Sequence, residues 1–197
     1  MKITLSLLLF IFLFSSSANG SELITWNFAA RVSQKIGPLP ELSVGDNISG
    51  SITFISNTKN STPELALEAN YRAIDNIRLR INNVELISKN KDVGFNKIVV
   101  RNNNPIGDSS SVEDAWFLGR DLQDPEVFLN KLTPIRISFF FLDKTATVFE
   151  NTELPLQTLS KDDFTQSSGT VRFLNSDGFV VTVTLDQISF TPDLLAN

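Results

Sequence analysis

The 197-residue chain contains no cysteine and no histidine. Without cysteine, no disulfide can form and no lipid can be attached to an N-terminal cysteine, so the fold depends on its core and its strand pairing. Without histidine, Ser-His-Asp triads, Cys-His dyads and histidine-based metal sites are excluded. We therefore predict a protein that is not an enzyme, with no catalytic residue, no metal site and no cofactor.

Basic residues are also fewer than acidic ones. The formal net charge is −5, with 17 lysines and arginines against 22 aspartates and glutamates. A chain without a basic surplus has no electrostatic footprint for nucleic acid, and it is only weakly attracted to anionic lipid. We therefore predict that nucleic acid is not a partner.

Only one long apolar run is present, and it lies at the N-terminus. It follows Lys2, extends from Ile3 to Phe14 and ends in small residues. A membrane-spanning helix needs about 20 apolar residues, so the run is typical of a signal peptide, with cleavage after Gly20 or after Ala18. We predict a signal peptide over residues 1–20 and a single domain over residues 21–197, exported to the periplasm or beyond, with no transmembrane anchor after cleavage.

The stretch from Ser43 to Phe54 combines a turn with an alternating strand. After the turn Val-Gly-Asp-Asn, apolar and polar residues alternate with the period of two that is typical of a half-buried strand. The segment from Leu23 to Val32 alternates in the same way. We predict that the two segments pair as an antiparallel hairpin, and that Trp26 or Phe28 fills the space beside Gly50.

Turn signals recur along the rest of the chain. Asn82-Asn83 predicts a two-residue hairpin turn, and Asp177-Gly178 predicts a closing hairpin. Ile135 to Leu142 is the most apolar segment, and its far half is predicted to be covered on both sides. Single helical turns are predicted over residues 64–69 and 159–164, the second with Ser160 as its N-cap.

Together these patterns predict an all-β fold. The short alternating segments and regular turns favour an antiparallel β-sandwich of jelly-roll type, with about eight to ten short strands and no long helix in the mature chain. Most of the phenylalanines follow strand alternation and are predicted to lie in the core.

Several segments resemble bacterial exported proteins of the PEP-CTERM sorting type. They are Trp26 to Val32, Ser43 to Phe54, Tyr71 to Ile74, Leu154 to Leu156 with Phe164, and Val183 to Phe190. The end of the sequence, Thr191 to Asn197, departs from that family, whose members carry a Pro-Glu-Pro motif, a hydrophobic helix and a basic tail. The resemblance implies an exported domain of similar fold, associated with extracellular polymer or surface layers.

An acidic region between residues 108 and 126 is the candidate binding site. Asp108, Asp114 and Asp121 are interpreted as part of an acidic loop, and Trp116 lies beside it in a predicted short strand, Ala115 to Leu118. An exposed tryptophan beside carboxylates would suit a polysaccharide, and the oxygens would suit Ca²⁺, although no EF-hand loop is present.

Three functions remain open. The leading prediction is a non-enzymatic structural or adhesive component of the bacterial envelope or extracellular matrix. The alternative is a carbohydrate-binding module, assisted by calcium or not. The third is a glycosidase built on two carboxylates, which needs a defined gap between them.

Overall fold

A computed structural model of the chain describes residues 22–82, 84–88, 94–105, 111–122 and 133–193. These residues form ten strands and one short 3₁₀ turn, Lys161–Asp163. The strands are β1 (Leu23–Ile36), β2 (Asn47–Ile55), β3 (Glu68–Tyr71), β4 (Ile74–Ile81), β5 (Val84–Ser88), β6 (Asn96–Pro105), β7 (Val112–Asp121), β8 (Thr133–Asp143), β9 (Gln166–Leu174) and β10 (Val180–Pro192).

All ten strands belong to one sheet, in the order β3-β6-β7-β8-β9-β10-β1-β2-β4-β5. Every neighbouring pair is antiparallel. The predicted all-β antiparallel fold is therefore confirmed. The sheet curls so that its two halves face each other around the core, which gives sandwich-like packing without a break in the hydrogen-bonded ladder.

The first hairpin forms as the alternation predicts. β1 pairs with β2 along its length, with Phe28 opposite Gly50. A Cβ at Gly50 would overlap the carbonyl oxygen of Arg78 and come within 2.8 Å of the Phe28 ring. Phe28 therefore occupies the space that the missing side chain leaves, as predicted.

Both predicted hairpin turns are present. Asn82 connects β4 to β5 with φ of 54°, a left-handed conformation that asparagine tolerates. In the closing hairpin Gly178 has φ of 80°, and Asn175 Oδ1 accepts hydrogen bonds from the amides of Asp177 and Phe179. The side chain of Asn175 thus fixes the turn that brings β10 back onto β9.

The two halves of the sheet meet through aromatic side chains and through Asn96. The rings of Trp26 on β1 and Trp116 on β7 lie 5.8 Å apart between centroids, although four strand-to-strand steps separate these strands in the sheet. Asn96 on β6 accepts from the amide of Ile74 (3.2 Å) and donates to its carbonyl (2.8 Å). One side chain therefore joins β6 to β4, near opposite ends of the strand order.

The 3₁₀ turn begins as predicted, because Ser160 Oγ accepts from the amide of Asp162.

The other predicted helical turn, over residues 64–69, is wrong. Thr62 and Leu65 make a hydrogen-bonded turn there, and β3 then begins at Glu68. Ala69 is buried in the core, so pairing with β6 outweighs the weak local preference for helix.

The strand predicted over Ala115 to Leu118 is present but longer, so the interpretation as an acidic loop is wrong for Asp114 and Asp121. Val112–Asp121 is a full strand, paired with β6 on one side and with β8 on the other. Its neighbours on both sides supply the hydrogen bonds that outweigh its acidic residues.

None of the described residues belongs to a helix long and apolar enough to span a membrane.

Candidate functional site

The tryptophan predicted to bind ligand is buried in the core. Trp116 is 1% exposed, and its ring packs against Trp26 and against Phe190 at 5.7 Å between centroids. Side chains of a strand alternate between faces, and Trp116 falls on the inward one together with Leu118. Its ring is therefore not available to stack on a sugar.

Asp114 lies on the same inward face and is fully buried. Its Oδ1 accepts from the amide of Asn103 at 2.8 Å, and its Oδ2 accepts from the amides of Val148 and Phe149 at 2.9 and 2.8 Å. The carboxylate thereby fastens the irregular part of β6 and the loop after β8 to the start of β7. Both carboxylate oxygens are therefore engaged in hydrogen bonds that hold the structure together.

Asp143 sits opposite Asp114 in the ladder and is also buried. Burial by itself raises the pKa of the Asp143 carboxyl, but hydrogen bonds from Thr145 and Thr147 outweigh it, so its pKa lies below the ordinary value. The hydroxyl of Thr145 approaches Oδ1 to 2.6 Å. The two adjacent carboxylates are thus held by their own surroundings, and neither is more than 1% exposed.

Asp121 points to the opposite, outer face of the sheet. It is seven residues from Asp114 along one strand, which places the two about 23 Å apart. Its carboxylate accepts from the amide of Phe95 and forms an ion pair with Arg136 at 2.6 Å. Asp108 lies outside the described residues. The structure therefore does not bring Trp116, Asp114 and Asp121 together as one site.

A different site is formed on the outer face of β6, β7 and β8. It is a groove of about 220 Å³, called here the outer-face groove. Its lining consists of Phe95, Lys97, Val99, Arg101, Ala115, Phe117 and Phe140. Apolar side chains thus make its floor, and two cations stand at its edge, a combination typical of binding sites.

Gly119 makes room for the aromatic part of the groove. A Cβ at this position would come within 2.8 Å of the Phe117 ring and still closer to Phe95. The rings of Phe95 and Phe117 therefore pack edge to face above the glycine, with centroids 6.0 Å apart. The guanidinium of Arg136 lies 4.5 Å from the centre of the Phe95 ring and holds it from the other side.

The charges around the groove leave one cation for a ligand. Arg101 pairs with Glu68 at 2.7 Å, and the pKa of Glu68 is low because its hydrogen bonds and the positive charges nearby outweigh burial, which raises it. Arg136 is held by Asp121. Among the described residues, Lys97 has no carboxylate partner within ion-pair distance. The groove thus offers an apolar floor beside an ammonium group.

The sequence contained a signal for this groove. Phe117 and Phe140 occupy the outward phase of strands whose inward phase is already aromatic or aliphatic, and they are only half-buried. The prediction that most phenylalanines lie in the core therefore missed the outward position of these two. Leu142, also outward, is buried as the predicted two-sided cover requires, whereas Phe140 keeps part of its ring exposed.

A second depression lies at Gly50 on the outer face of β1, β2 and β4. It has a volume of about 330 Å³, and most of its lining is polar. Arg78 and Arg80 both approach the Glu85 carboxylate, at 3.6 and 3.2 Å. Its charges are therefore engaged with one another.

Among the described residues, no three aspartate or glutamate side chains converge as a metal site would require.

Comparison with protein-family models, with curated proteins and with solved structures gives no match to this chain. The outer-face groove is therefore assigned a role from its own chemistry.

Proposed function

We propose that this chain is an exported, non-enzymatic β-sandwich protein, a structural or adhesive component of the bacterial envelope or extracellular matrix, which holds its partner in the outer-face groove. The observation that carries the proposal is the groove itself. Its lining combines half-buried aromatic rings with Lys97 and Arg101 and includes no carboxylate. Such a surface is suited to holding a ligand, since general acid–base cleavage of a glycosidic bond needs two carboxylates.

Export is supported by the leader-like residues 1–20 and by the resemblance to bacterial exported proteins. A domain without disulfides has to be stable through its core alone. The continuous core that joins both halves of the curled sheet provides that stability.

A non-enzymatic role is supported by the state of the buried carboxylates. Asp114 and Asp143 are adjacent, but backbone amides and threonine hydroxyls occupy their oxygens. A glycosidase acid has to reach the glycosidic oxygen, and a group that is at most 1% exposed does not.

The alternative function is a dedicated carbohydrate-binding module. The groove favours it more than the acidic region does, because the aliphatic face of a sugar ring can stack on Phe117 or Phe140. Lys97 would then select for a saccharide carrying carboxylate groups. The two proposals share one surface and differ in whether a single copy binds the polysaccharide tightly enough to act alone.

The export part of the proposal has a direct test. The full chain is expressed in a Gram-negative bacterium, and cytoplasmic, periplasmic and culture-medium fractions are collected. We expect the protein outside the cytoplasm, with a mass that shows cleavage after Gly20 or Ala18. A control carrying Leu7→Arg and Leu8→Arg within the apolar run should stay in the cytoplasm. Full-length wild-type protein in the cytoplasm would contradict export.

A further inference from the structure

The two edge strands of the sheet differ in whether the rest of the chain covers them. β3, at one end of the strand order, pairs with β6, and its other side is covered by the chain itself. The amide of Asn70 donates to Asn60 Oδ1, and the carbonyl of Asn70 accepts from both the amide and the hydroxyl of Ser61. These contacts satisfy the groups that a foreign strand would otherwise use.

β5, at the other end, has no such cover among the described residues. It pairs with β4 from Ile81↔Val84 to Ile77↔Ser88, and its second side carries no hydrogen bond in the described part of the chain. Its sequence, Val-Glu-Leu-Ile-Ser, contains no proline, glycine or lysine. Of the devices that usually protect an edge strand, β5 has only its short length and the single charge of Glu85.

The side chains of β5 also favour pairing. Val84 and Ile87 are 39% and 44% exposed, although both are large and apolar. The one charge on the strand, Glu85, is already balanced by Arg78 and Arg80. A strand laid alongside β5 would thus cover apolar surface without leaving a charge unpaired.

We propose that β5 is a self-association surface, at which two copies of this chain pair edge to edge in antiparallel fashion. The occupant is a second copy because the strand is complementary to itself. With Leu86 opposite Leu86, all five residues pair, and Glu85 of one copy lies opposite Ile87 of the other. No like charges then stand directly opposite each other, and the two sheets become one continuous sheet across a two-fold axis.

This pairing gives the assembly two outer-face grooves. Linked sites hold a repetitive polymer more tightly than a single site does, because the second contact forms at high effective concentration. The inference goes beyond the proposed function and does not depend on it, since self-association is measured without any ligand.

The test is sedimentation velocity of the protein purified after export, over a wide range of concentrations. We expect a reversible monomer–dimer equilibrium. Ile87→Glu should raise the dimer dissociation constant by about tenfold or more, because it places a carboxylate directly opposite Glu85 of the other copy, twice across the two-fold axis. Phe179→Glu is the matched control, since Phe179 is 67% exposed in the closing hairpin, away from the edge.

A second measurement identifies the strand involved. Amide hydrogen exchange in β5 should be slower at concentrations where the dimer forms, while exchange in β3 should not change. A protein that is monomeric at every concentration would overturn the proposal. A dimer that Ile87→Glu leaves unchanged, or that Phe179→Glu weakens equally, would overturn it as well.

Discussion

Gly50 lies where three neighbouring strands leave no room for a side chain. It lies on β2 between Phe28 on β1 and Leu79 on β4. Any side chain at this position would meet the Arg78 carbonyl on one side and the Phe28 ring on the other. Since Phe28 in turn packs on Phe139 at 5.1 Å, a shift of its ring would disturb the core.

We therefore expect Gly50→Ala to lower the free energy of unfolding by about 3 kcal/mol, the upper range for overpacking. Urea denaturation monitored by tryptophan fluorescence gives this value. The matched control is Gly94→Ala, because the nearest atom to a Cβ there, an Asp121 carboxylate oxygen, is 3.7 Å away. Equal stability of the two variants would show that the crowding at Gly50 is relieved without cost.

At the scale of elements, Asn96 takes the place of a strand residue. β4 and β6 are not neighbours in the sheet, but the Asn96 amide group pairs with both the N–H and the C=O of Ile74, as a strand would. Arg120, also buried, adds a hydrogen bond to the same carbonyl at 3.2 Å. The curl of the sheet is thus fixed by side chains of β6 and β7 that contact the first residue of β4.

Replacing Asn96 with alanine should separate these elements. The Ile74 amide would lose its acceptor in a buried setting, which costs about 2 kcal/mol. Hydrogen exchange is the discriminating measurement, because the amides at the start of β4 and β6 should exchange faster while those of β9 and β10 remain protected. The matched variant, Asn102→Ala, alters an asparagine nearer the other end of β6. Uniform acceleration across all strands would contradict a local closing role for Asn96.

Elements with strong local signals could be predicted from the sequence. The β1–β2 hairpin, the Asn82 turn and the Asn175–Gly178 turn follow from alternation and from residues that tolerate positive φ. β7 could not be predicted in full, because its acidic ends look like loop until Asp114 and Asp121 are seen to receive backbone donors from residues distant in the chain. Such donors are set by tertiary structure and leave no local pattern.

On the scale of the whole molecule, the sheet separates two populations of aromatic residues. The inward one, which includes both tryptophans, closes the core. The outward one, Phe95, Phe117 and Phe140, borders the outer-face groove. Sequence patterns identified the first group and missed the second, because which face of a strand meets solvent is decided by how the whole sheet curls. The acidic net charge likewise concealed a cationic edge formed by Lys97 and Arg101.

The central claim is that this groove holds the extracellular partner. The most direct measurement is calorimetric titration of the exported protein with polygalacturonate, an acidic polysaccharide, and with dextran, a neutral one. We predict binding of polygalacturonate, weakened about tenfold by Phe117→Ala and by Lys97→Ala. Phe179→Ala, which removes an exposed ring elsewhere, should leave the affinity unchanged. If neither polysaccharide bound, or if Phe117→Ala did not weaken the binding, the account would be contradicted.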